Sequence, residues 1–436
     1  MAEDLSVSTT PIPGLFVVSL PLHEDDRGWF KENWQREKMI ALGLPDFHPV
    51  QNNVAFNAAV GTTRGIHAEP WDKLVSVASG RAFGAWVDLR QGDSFGKTFT
   101  IELHPGVGVF VPRGVANAYQ TLEPATSYSY LVNDHWSPEA IYTYVNLADE
   151  TAAINWPIPL SEALLSSKDV THPHLDQAIP ITPRKTLILG AGGQLGKALT
   201  AALPHASAWN REEFDLTDAR AYSSVPWRDY NVVINAAAYT NVDEAETLHG
   251  RRDAWKANVS ALVHLARVAT THHLTVVHVS SDYVFDGEVT THTVDEGFSP
   301  LGVYGQTKAA GDAVISTVPR HYIVRTSWVI GNGPNFVATM RALAESGDNP
   351  SVVDDQFGRL TTTSELADGI VRLLDAQAPY GVHHITGGGE PRSWYEIARQ
   401  VFADAGHDPA RVLPISSDGY AAGRAIAPRP RNSTLS

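Results

Sequence analysis

The 436-residue sequence contains no cysteine, which excludes disulfide bonds, thiolate metal sites and a cysteine nucleophile. Basic residues are also scarce: 33 Lys and Arg stand against 48 Asp and Glu, a formal net charge of -15. A chain without excess positive charge does not neutralise phosphate backbones, so we expect no nucleic-acid partner. A small anionic ligand held by a few arginines remains compatible with this balance.

Long apolar runs are missing as well. No stretch approaches the roughly 20 apolar residues that span a bilayer, so no membrane association is expected. The first residues, MAEDLSVSTTPIPG, are acidic and lack the basic region and apolar core of a signal peptide. We therefore expect a cytoplasmic protein, and its length predicts two domains.

The first half of the chain has the pattern of short β-strands. LFVVSL, KLVSVASG, FGAWVDLR, KTFTIELH, VGVFVP and TSYSYLV are rich in Val, Phe, Tyr and Thr, and turn signals such as GDSFG and HPG separate them. This spacing, with one helical interruption near NWQREKMIAL, predicts an all-β jelly roll (cupin-like) or a similar sandwich.

The second half has a different pattern. The apolar runs TLIL, VVINAAA, TVVHVSS and YIVRTSW alternate with helical segments such as NVSALVHLARVATT, which predicts a parallel α/β sheet of the Rossmann type. Between the halves, THPHLDQAIPITPRK is rich in proline and lacks periodicity. We place the boundary there, with one domain at residues 1–182 and the other at residues 183–436.

The segment GAGGQLG follows an apolar strand and opens a helix. Gly190, Gly193 and Gly196 allow the backbone to approach a pyrophosphate, and the helix presents its N-terminus to that charge. A glycine pattern alone also fits a tight turn, but its position between strand and helix indicates a dinucleotide site. The predicted cofactor-binding residues are Gly190, Gly193, Gln194, Leu195, Arg211, Asp215, Leu216, Ala236, Ala237, Tyr304 and Lys308.

The identity of the cofactor depends on the position about 20 residues later, where an acid usually binds the adenine-ribose hydroxyls. This chain has Asn210 followed by Arg211 there. An amide does not repel a 2′-phosphate, and an arginine pairs with one. We therefore predict NADPH, with NADH as the alternative.

Reductive chemistry is indicated by HVSSDYVF and VYGQTKAAG. Tyr304 and Lys308 are four residues apart and share one face of a helix. The ammonium is expected to lower the pKa of Tyr304, which would donate a proton to a ketone oxygen that receives hydride. Ser281 would donate a second hydrogen bond to that oxygen. Such Tyr/Lys pairs also occur by chance on helices, but this one follows a glycine fingerprint.

Several segments of the second half occur together in one enzyme family. GAGGQLG, INAAAYTNVDEAE, SSDYVFDG, SPLGVYGQTKAAGD, RTSWVIG, NFVATM, DDQFGRLT and RPRNSTLS resemble, in order, the dTDP-4-dehydrorhamnose reductases, which are extended short-chain dehydrogenases. The resemblance implies Ser281, Tyr304 and Lys308 as the catalytic trio. It also implies that Thr240, Val242 and Trp328 lie near the sugar.

The first half resembles a second family. DDRGWFKENW, VQNNVAFN, TTRGIHAEPWDKLVSVASGRAFGAWVDLR, SYSYLVNDHWSPE and LSSKD occur in the order seen in dTDP-4-dehydrorhamnose 3,5-epimerases, which are jelly rolls. The residues suit proton abstraction beside a carbonyl. His67 is the candidate base, and Asp169 would fix its tautomer. Lys73 would stabilise the enolate, and Tyr130 would reprotonate the opposite face.

Substrate contacts are predicted around these four residues. Arg27 and Arg64 would bind the diphosphate. Epimerases of this family usually have AHGF where this chain has ANAY, so Asn117 replaces a histidine, and we expect altered rate or contacts rather than lost activity. The complete predicted substrate set of both halves is Arg27, Gln51, Asn53, Arg64, Asn117, Trp136, Thr240, Val242 and Trp328.

No metal is predicted in the first half. Metal-binding jelly rolls often present His-x-His followed by an acid, whereas IHAEP has one histidine. His172 and His174, in THPH, are expected to lie solvated in the linker.

The two resemblances together imply a bifunctional enzyme that converts dTDP-4-dehydro-6-deoxy-D-glucose to dTDP-L-rhamnose by C3/C5 epimerisation and reduction at C4. The main alternative is a 4-ketoreductase whose jelly roll only binds sugar nucleotide. A redox-sensing Rossmann module is a non-enzymatic alternative, which the Tyr304/Lys308 pair disfavours. The sequence leaves open a dTDP or a UDP substrate. The epimerase resemblance also implies a homodimer through residues 1–175.

Overall fold

The structure of the protein is a computed structural model that describes residues 4–138 and 140–436. Residues 1–3, in the MAEDLSVSTTPIPG segment, and Glu139, which ends SYSYLVNDHWSPE, lie outside the described residues. The chain divides into two compact units, Met1–Pro183 and Arg184–Ser436. Each unit has its own sheet system and its own apolar core.

The first unit is built mostly from sheet. Its single α-helix within the described residues, α1 (Arg36–Ala41), lies in the predicted helical interruption. Its strands are β1 (Ser6–Thr9), β2 (Phe16–Ser19), β3 (His23–Asp25), β4 (Gly28–Phe30), β5 (Gln51–Asn57), β6 (Thr63–Ala68), β7 (Lys73–Ser79), β8 (Ala82–Asp88), β9 (Thr98–Leu103), β10 (Val107–Val111), β11 (Val115–Thr121), β12 (Thr126–Val132) and β13 (Thr143–Tyr144).

These strands form two antiparallel sheets that pack face to face. One has the order β1-β2-β10-β7-β12-β5, the other β13-β6-β11-β8-β9, and β3 pairs with β4 as a separate hairpin. Alternate side chains of the strands point inward. Val75 and Val109 of the first sheet therefore share one core with Trp86 and Tyr119 of the second. At one end of this interface, polar residues replace the apolar ones.

The second unit alternates strands and helices. Its principal strands are β14 (Lys185–Leu189), β15 (Ser207–Trp209), β16 (Tyr230–Asn235), β17 (Thr275–Ser281) and β18 (His321–Thr326). The remaining strands are β19 (Val329–Ile330), β20 (Ser351–Val353), β21 (Phe357–Gly358), β22 (Thr361–Thr362), β23 (Gly381–His384), β24 (Arg392–Ser393) and β25 (Leu413–Ile415). Its α-helices are α2 (Gln194–Ala202), α3 (Leu248–Trp255), α4 (Ala261–Thr271), α5 (Val303–Ile315), α6 (Phe336–Ser346), α7 (Thr363–Asp375), α8 (Trp394–Asp404) and α9 (Ser417–Ala421).

A parallel sheet of order β15-β14-β16-β17-β18-β23 carries helices on both faces. Consecutive strand residues point to opposite faces, so both faces must be covered. Leu187 and Val233 pack in the core that contains α4, whereas Ile188 and Ile234 pack in the core that contains α2 and α7. This explains why the strands are continuous apolar runs in the sequence.

The order in which successive strands join the sheet reverses at β14. After β14 the chain adds β15 on one side, and it then returns to add β16 on the other. Such a switch point leaves a cleft at the carboxyl ends of the two strands, where open α/β sheets bind ligands. No helix within the described ranges has the length and apolarity needed to cross a membrane.

Candidate functional site

Each unit contains a cavity lined by residues predicted from the sequence. In the first unit, a cavity of about 920 Å³ lies between the two sheets. The predicted residues that line it are Arg64, His67, Lys73, Asn117, Tyr130 and Asp169. They come from β6, β7, β11 and β12 and from the segment after β13. The structure therefore brings together six predicted residues from four strands and one later segment of the chain.

His67 and Asp169 are in direct contact in this cavity. His67 Nε2 lies 3.0 Å from Asp169 Oδ1, and the Asp169 carboxylate is almost completely buried. Burial alone raises the pKa of Asp169, but the hydrogen bond and charge of His67, with a contribution from Ser166, bring the pKa below its ordinary value. A charged carboxylate at Nε2 keeps a proton on that nitrogen, so His67 Nδ1 is left with the basic lone pair.

His172 was predicted to be solvated in the linker, and this prediction is wrong. Its ring lines the cavity, its side chain is only 12% exposed, and its Nε2 lies 4.0 Å from Asp169 Oδ1. A 3-10 turn at Asp169–Thr171 brings residues 169 and 172 to one side. The spacing Asp-x-x-His between Asp169 and His172 was the feature of the sequence that could have indicated this proximity. His174 is 55% exposed and pairs instead with Asp149.

Lys73 is held by two polar partners. Its ammonium is buried, donates to Asn117 Oδ1 at 2.5 Å, and forms an ion pair with Glu69. Glu69 was not predicted, although its position two residues after His67 on an extended chain was a signal. Burial first, and then the charge of Glu69, raise the pKa of Tyr130. Tyr130 therefore remains a protonated phenol, as a proton donor must be.

Four predicted substrate residues do not line this cavity. Arg27 is exposed on the β3–β4 hairpin and pairs with Asp25. Trp136 is 70% exposed. Gln51 and Asn53 bond to each other at 2.7 Å, on the face of β5 that also presents Ala55 to the cavity. The sequence predicted that these four residues contact the substrate. Within one chain, however, they lie outside the cavity.

The second unit contains a larger cavity of about 1270 Å³ at the carboxyl ends of the parallel strands. Gly196, the third glycine of the GAGGQLG segment, packs against the Gly190 carbonyl and does not line it, whereas the other predicted residues of this unit do: Gly190, Gly193, Gln194, Leu195, Arg211, Asp215, Leu216, Ala236, Ala237, Thr240, Val242, Ser281, Tyr304, Lys308 and Trp328. Asn210, Asp282 and Trp394 also line it. The cleft at the strand switch point and the predicted catalytic residues thus form one continuous space.

The glycine segment has the backbone geometry that its sequence suggested. Gly190 has φ +82°, and a Cβ there would lie 2.7 Å from the Ala237 nitrogen. Gly193 caps α2, which begins at Gln194, so unpaired backbone N–H groups face the cavity. This is a fit for a pyrophosphate, because bare backbone and a helix N-terminus attract negative charge.

The residues after β15 are arranged around Asn210. Its Oδ1 accepts hydrogen bonds from the backbone N–H groups of Glu212 and Glu213. The Arg211 side chain is 84% exposed at the cavity rim, with Nε 3.8 Å from Asp215 Oδ2. An exposed arginine with this single long ion pair remains available to a phosphate.

Ser281, Tyr304 and Lys308 meet below this rim. Ser281 Oγ donates to Asp282 Oδ1 at 2.9 Å, and Lys308 Nζ donates to the Val279 carbonyl at 2.7 Å. Burial and the charge of Asp282 raise the pKa of Tyr304 well above its ordinary value, which a hydrogen bond with Ser281 only partly offsets. The predicted lowering of this pKa was wrong, since Lys308 is bonded to the β17 backbone and the phenol is buried.

Behind Lys308 lies a buried polar network that sequence reasoning missed. Lys308 Nζ is 3.4 Å from His278 Nε2, and His278 Nδ1 contacts the Asn235 amide at 3.1 Å. Asp312 bonds to Arg325 at 3.1 Å. Burial lowers the pKa of Lys308 to about 8. These residues lie within otherwise apolar strand and helix segments, so no local sequence pattern marks them as functional.

The predicted sugar-binding loop is anchored from two sides. Asn258 bonds to both the N–H and the carbonyl of Tyr239, at 2.8 and 3.1 Å. Arg429 bonds to both carboxylate oxygens of Asp243, at 3.0 and 3.1 Å. On the other wall, Trp328 stacks on Trp394 with ring centroids 3.7 Å apart. Thr240 and Val242 therefore lie on a loop that is bonded to the rest of the unit at both Tyr239 and Asp243.

Comparison with known proteins assigns each unit a match. Residues 9–177 match the family model for dTDP-4-dehydrorhamnose 3,5-epimerase, and residues 184–436 match the RmlD substrate binding domain. A protein RmlC homolog from Streptococcus pyogenes serotype M6 is 46% identical over 180 residues, which cover 40% of this chain and 90% of that protein.

Several relatives of the second unit are named as reductases. The dTDP-4-dehydrorhamnose reductase of Mycobacterium tuberculosis (strain CDC 1551 / Oshkosh) is 39% identical over 261 residues, which cover 57% of this chain and 83% of that protein. A crystal structure of dTDP-4-dehydrorhamnose reductase from Bacillus anthracis, in complex with NADP, has a TM-score of 0.54 and 32% identity, covering 58% of this chain and 90% of that one.

Proposed function

Because this chain belongs to the dTDP-4-dehydrorhamnose 3,5-epimerase family through residues 9–177 and to the RmlD substrate binding domain family through residues 184–436, we propose that it is a bifunctional enzyme. It converts dTDP-4-dehydro-6-deoxy-D-glucose to dTDP-L-rhamnose, epimerising C3 and C5 and then reducing the C4 ketone. The observation that carries this proposal is the presence of two cavities, each with its own acid–base residues. The product of the first reaction is the substrate of the second.

The two architectures support finer fold assignments. Two face-to-face antiparallel sheets are consistent with a jelly roll of the cupin-like kind. A parallel sheet covered on both faces, with a glycine turn at its switch point, is consistent with a Rossmann fold of the extended short-chain dehydrogenase type. We place the domains at residues 1–182 and 183–436, within a residue of the division into compact units.

In the epimerase half, His67 Nδ1 removes, one at a time, the protons at C3 and C5, both of which lie next to the C4 carbonyl. The Asp169 carboxylate at Nε2 stabilises the imidazolium that forms. The Lys73 ammonium, oriented by Asn117 and Glu69, stabilises the negative charge that develops on the enolate oxygen. Tyr130, whose raised pKa keeps it protonated, returns a proton to the opposite face of the ring.

In the reductase half, NADPH supplies the hydride when it is bound. Gly190, Gly193 and the N-terminus of α2 would hold its pyrophosphate. Tyr304, protonated because its pKa is raised, donates a proton to the C4 oxygen, and the Ser281 hydroxyl turns from Asp282 to donate a hydrogen bond to the same oxygen. Lys308 supplies a positive charge beneath the nucleotide site, where its ammonium is fixed to β17.

Preference for NADPH is tested at Arg211. We expect Arg211→Ala to raise the KM for NADPH by about tenfold or more, since hydrogen bonds to charged groups contribute roughly 1.5–3 kcal/mol. The KM for NADH should not change, because NADH lacks the 2′-phosphate. Arg220→Ala is the matched control, since Arg220 is an exposed arginine that pairs with Asp218 outside the cavity. An equal rise in KM for both cofactors would indicate that Arg211 contacts a part of the molecule that NADPH and NADH share, and not the 2′-phosphate.

The reductase-only alternative makes a different prediction for the first unit. If that unit only binds sugar nucleotide, incubation of the 4-ketosugar in D2O without NADPH leaves C3 and C5 undeuterated. Our proposal requires deuterium at both carbons, detected by NMR or mass spectrometry. The assembled His67–Asp169 pair in a polar cavity favours the active epimerase. The proton-donating Tyr304 and the adjacent Lys308 disfavour a purely redox-sensing module.

We also infer that the chain is a homodimer through residues 1–175. Arg27, predicted to bind the diphosphate, is exposed beside Trp29 and Phe30 on a hairpin outside its own cavity. Strand β5 is a free sheet edge that exposes Val54 and Phe56. A second copy would cover these side chains and bring Arg27 to a partner's site.

Light scattering during size-exclusion chromatography tests this inference. We expect a mass of twice 47.3 kDa, the mass of one chain. A mass of 47.3 kDa at assay concentrations would contradict the dimer. In the dimer, Arg27→Ala should raise the substrate concentration needed for half-maximal deuterium exchange, although Arg27 is outside its own cavity.

A further inference from the structure

Three potential metal ligands converge in the cavity of the first unit. His67, Asp169 and His172 each offer one ligand atom, and these atoms all lie within 4.8 Å of one another. No other such group of three occurs among residues 4–138 and 140–436. The sequence argued against a metal because IHAEP has one histidine, but the fold adds a second one from the segment that follows Asp169.

The spacing of these atoms is close to that of a zinc site. Zinc bonds to histidine nitrogen and carboxylate oxygen are about 2.0–2.2 Å long, so tetrahedral ligand atoms lie about 3.3 Å apart. The distances from Asp169 Oδ1 to His67 Nε2 and to His172 Nε2 are 3.0 and 4.0 Å. These two values fall on either side of the required separation, and the third, between the two imidazole nitrogens, is within 4.8 Å, so bringing the two rings closer by at most about 1.5 Å would complete the site.

Neighbouring groups fix the orientation of the ligands. Tyr144 stacks on the His172 ring at 4.8 Å and meets the His67 ring edge-on at 5.4 Å. Such outer contacts hold a ligating imidazole in place. Since all three residues line the cavity, a fourth position would be open to water or to a sugar oxygen.

We propose that His67, Asp169 and His172 form a binding site for Zn²⁺ and that zinc bound there inhibits the epimerase. The inhibition rests on the proposed function of the first unit. A neutral imidazole coordinated through Nε2 carries its proton on Nδ1. His67 Nδ1 then has no lone pair with which to remove a proton from the substrate, and Asp169 no longer stabilises an imidazolium.

The experiment uses the full-length chain without an affinity tag, after treatment with a chelator. Zn²⁺ affinity is measured by calorimetry, and Co²⁺ is added as a coloured substitute whose visible absorption reports tetrahedral coordination. We expect His172→Asn to weaken Zn²⁺ binding by at least about 10–100-fold, because even the outer partners of a metal ligand have effects of that size. His172→Gln should behave in the same way.

His174→Asn is the matched control, since His174 lies two residues away, outside the cluster and the cavity. Circular dichroism and thermal unfolding of each variant, compared with the wild type, report that the first unit is folded. The proposal predicts full Zn²⁺ affinity in His174→Asn and the loss of the Co²⁺ absorption in His172→Asn. Absence of a Co²⁺ spectrum in the wild type, or equal loss in both variants, would overturn the site.

Deuterium exchange separates this proposal from the proposed function. Exchange by the metal-free wild type should fall as Zn²⁺ fills the site and recover on addition of chelator. Exchange that persists at saturating Zn²⁺ would overturn the inhibition. If the metal-free wild type shows no exchange, the epimerase assignment fails, while the calorimetric and Co²⁺ results still decide the metal site.

Discussion

Replacing His67 by Asn lowers the rate of deuterium uptake at C3 and C5 by about 10²–10⁴-fold, the usual contribution of a general base. The asparagine amide has no basic nitrogen to accept the substrate proton. Asp169, which lies at 3.0 Å from His67 in the wild type, then has no imidazolium to stabilise. NMR of the 4-ketosugar in D2O without NADPH measures this rate. Because each unit has its own cavity and core, cofactor binding and NADPH oxidation with an already epimerised substrate should be unaffected.

His104→Asn is the control for this variant. His104 is an exposed histidine of the same unit, outside the cavity, that accepts a hydrogen bond from Gly106 N–H. An asparagine there accepts the same bond, so exchange should continue at the wild-type rate. Undiminished exchange in His67→Asn would remove His67 from the mechanism and leave the base to be found among the other cavity residues.

Replacing Tyr304 by Phe should impair ketone reduction and leave epimerisation intact, which is the reverse of the effect expected for His67→Asn. NADPH oxidation should fall by about 10²–10⁴-fold, because the ketone oxygen loses its proton donor while the ring and its packing remain. Deuterium exchange in the first unit should be unchanged. Spectrophotometry at the nicotinamide absorption measures the first effect, and the D2O assay measures the second.

Tyr395→Phe removes a hydroxyl from the same unit without touching the cavity. It should retain full reductase activity. A Tyr304→Phe enzyme that oxidises NADPH as fast as the wild type would contradict the role of the phenol. The raised pKa of Tyr304 has a further consequence: the phenol stays protonated throughout the neutral range, so its own titration does not limit reduction there.

Elements with a strong local pattern could be predicted from the sequence. Strand β12 occupies the predicted run TSYSYLV, and strand β17 occupies TVVHVSS, because both rest on alternation or burial within one short segment. The turn at Gly190 was equally predictable, since a positive φ and a close backbone approach demand glycine.

Contacts between distant segments could not be predicted in this way. Glu69 and Asn117 meet at the Lys73 ammonium because β6, β7 and β11 are brought together across the two sheets. His172 enters the cavity through a turn of three residues that no periodicity marks. Asn258 anchors the Tyr239 backbone from a helical segment 19 residues away.

By itself, the sequence determined the chemistry available to each half: a histidine and a carboxylate in the first, and a glycine turn with a Tyr/Lys pair in the second. The sequence determines these groups because residue type and local spacing can be read from it directly. Only the tertiary structure decided the environments of these groups. Burial and the neighbouring Asp282 raised the pKa of Tyr304, and the fold placed His172 beside Asp169, because solvation and charge depend on neighbours in space rather than along the chain.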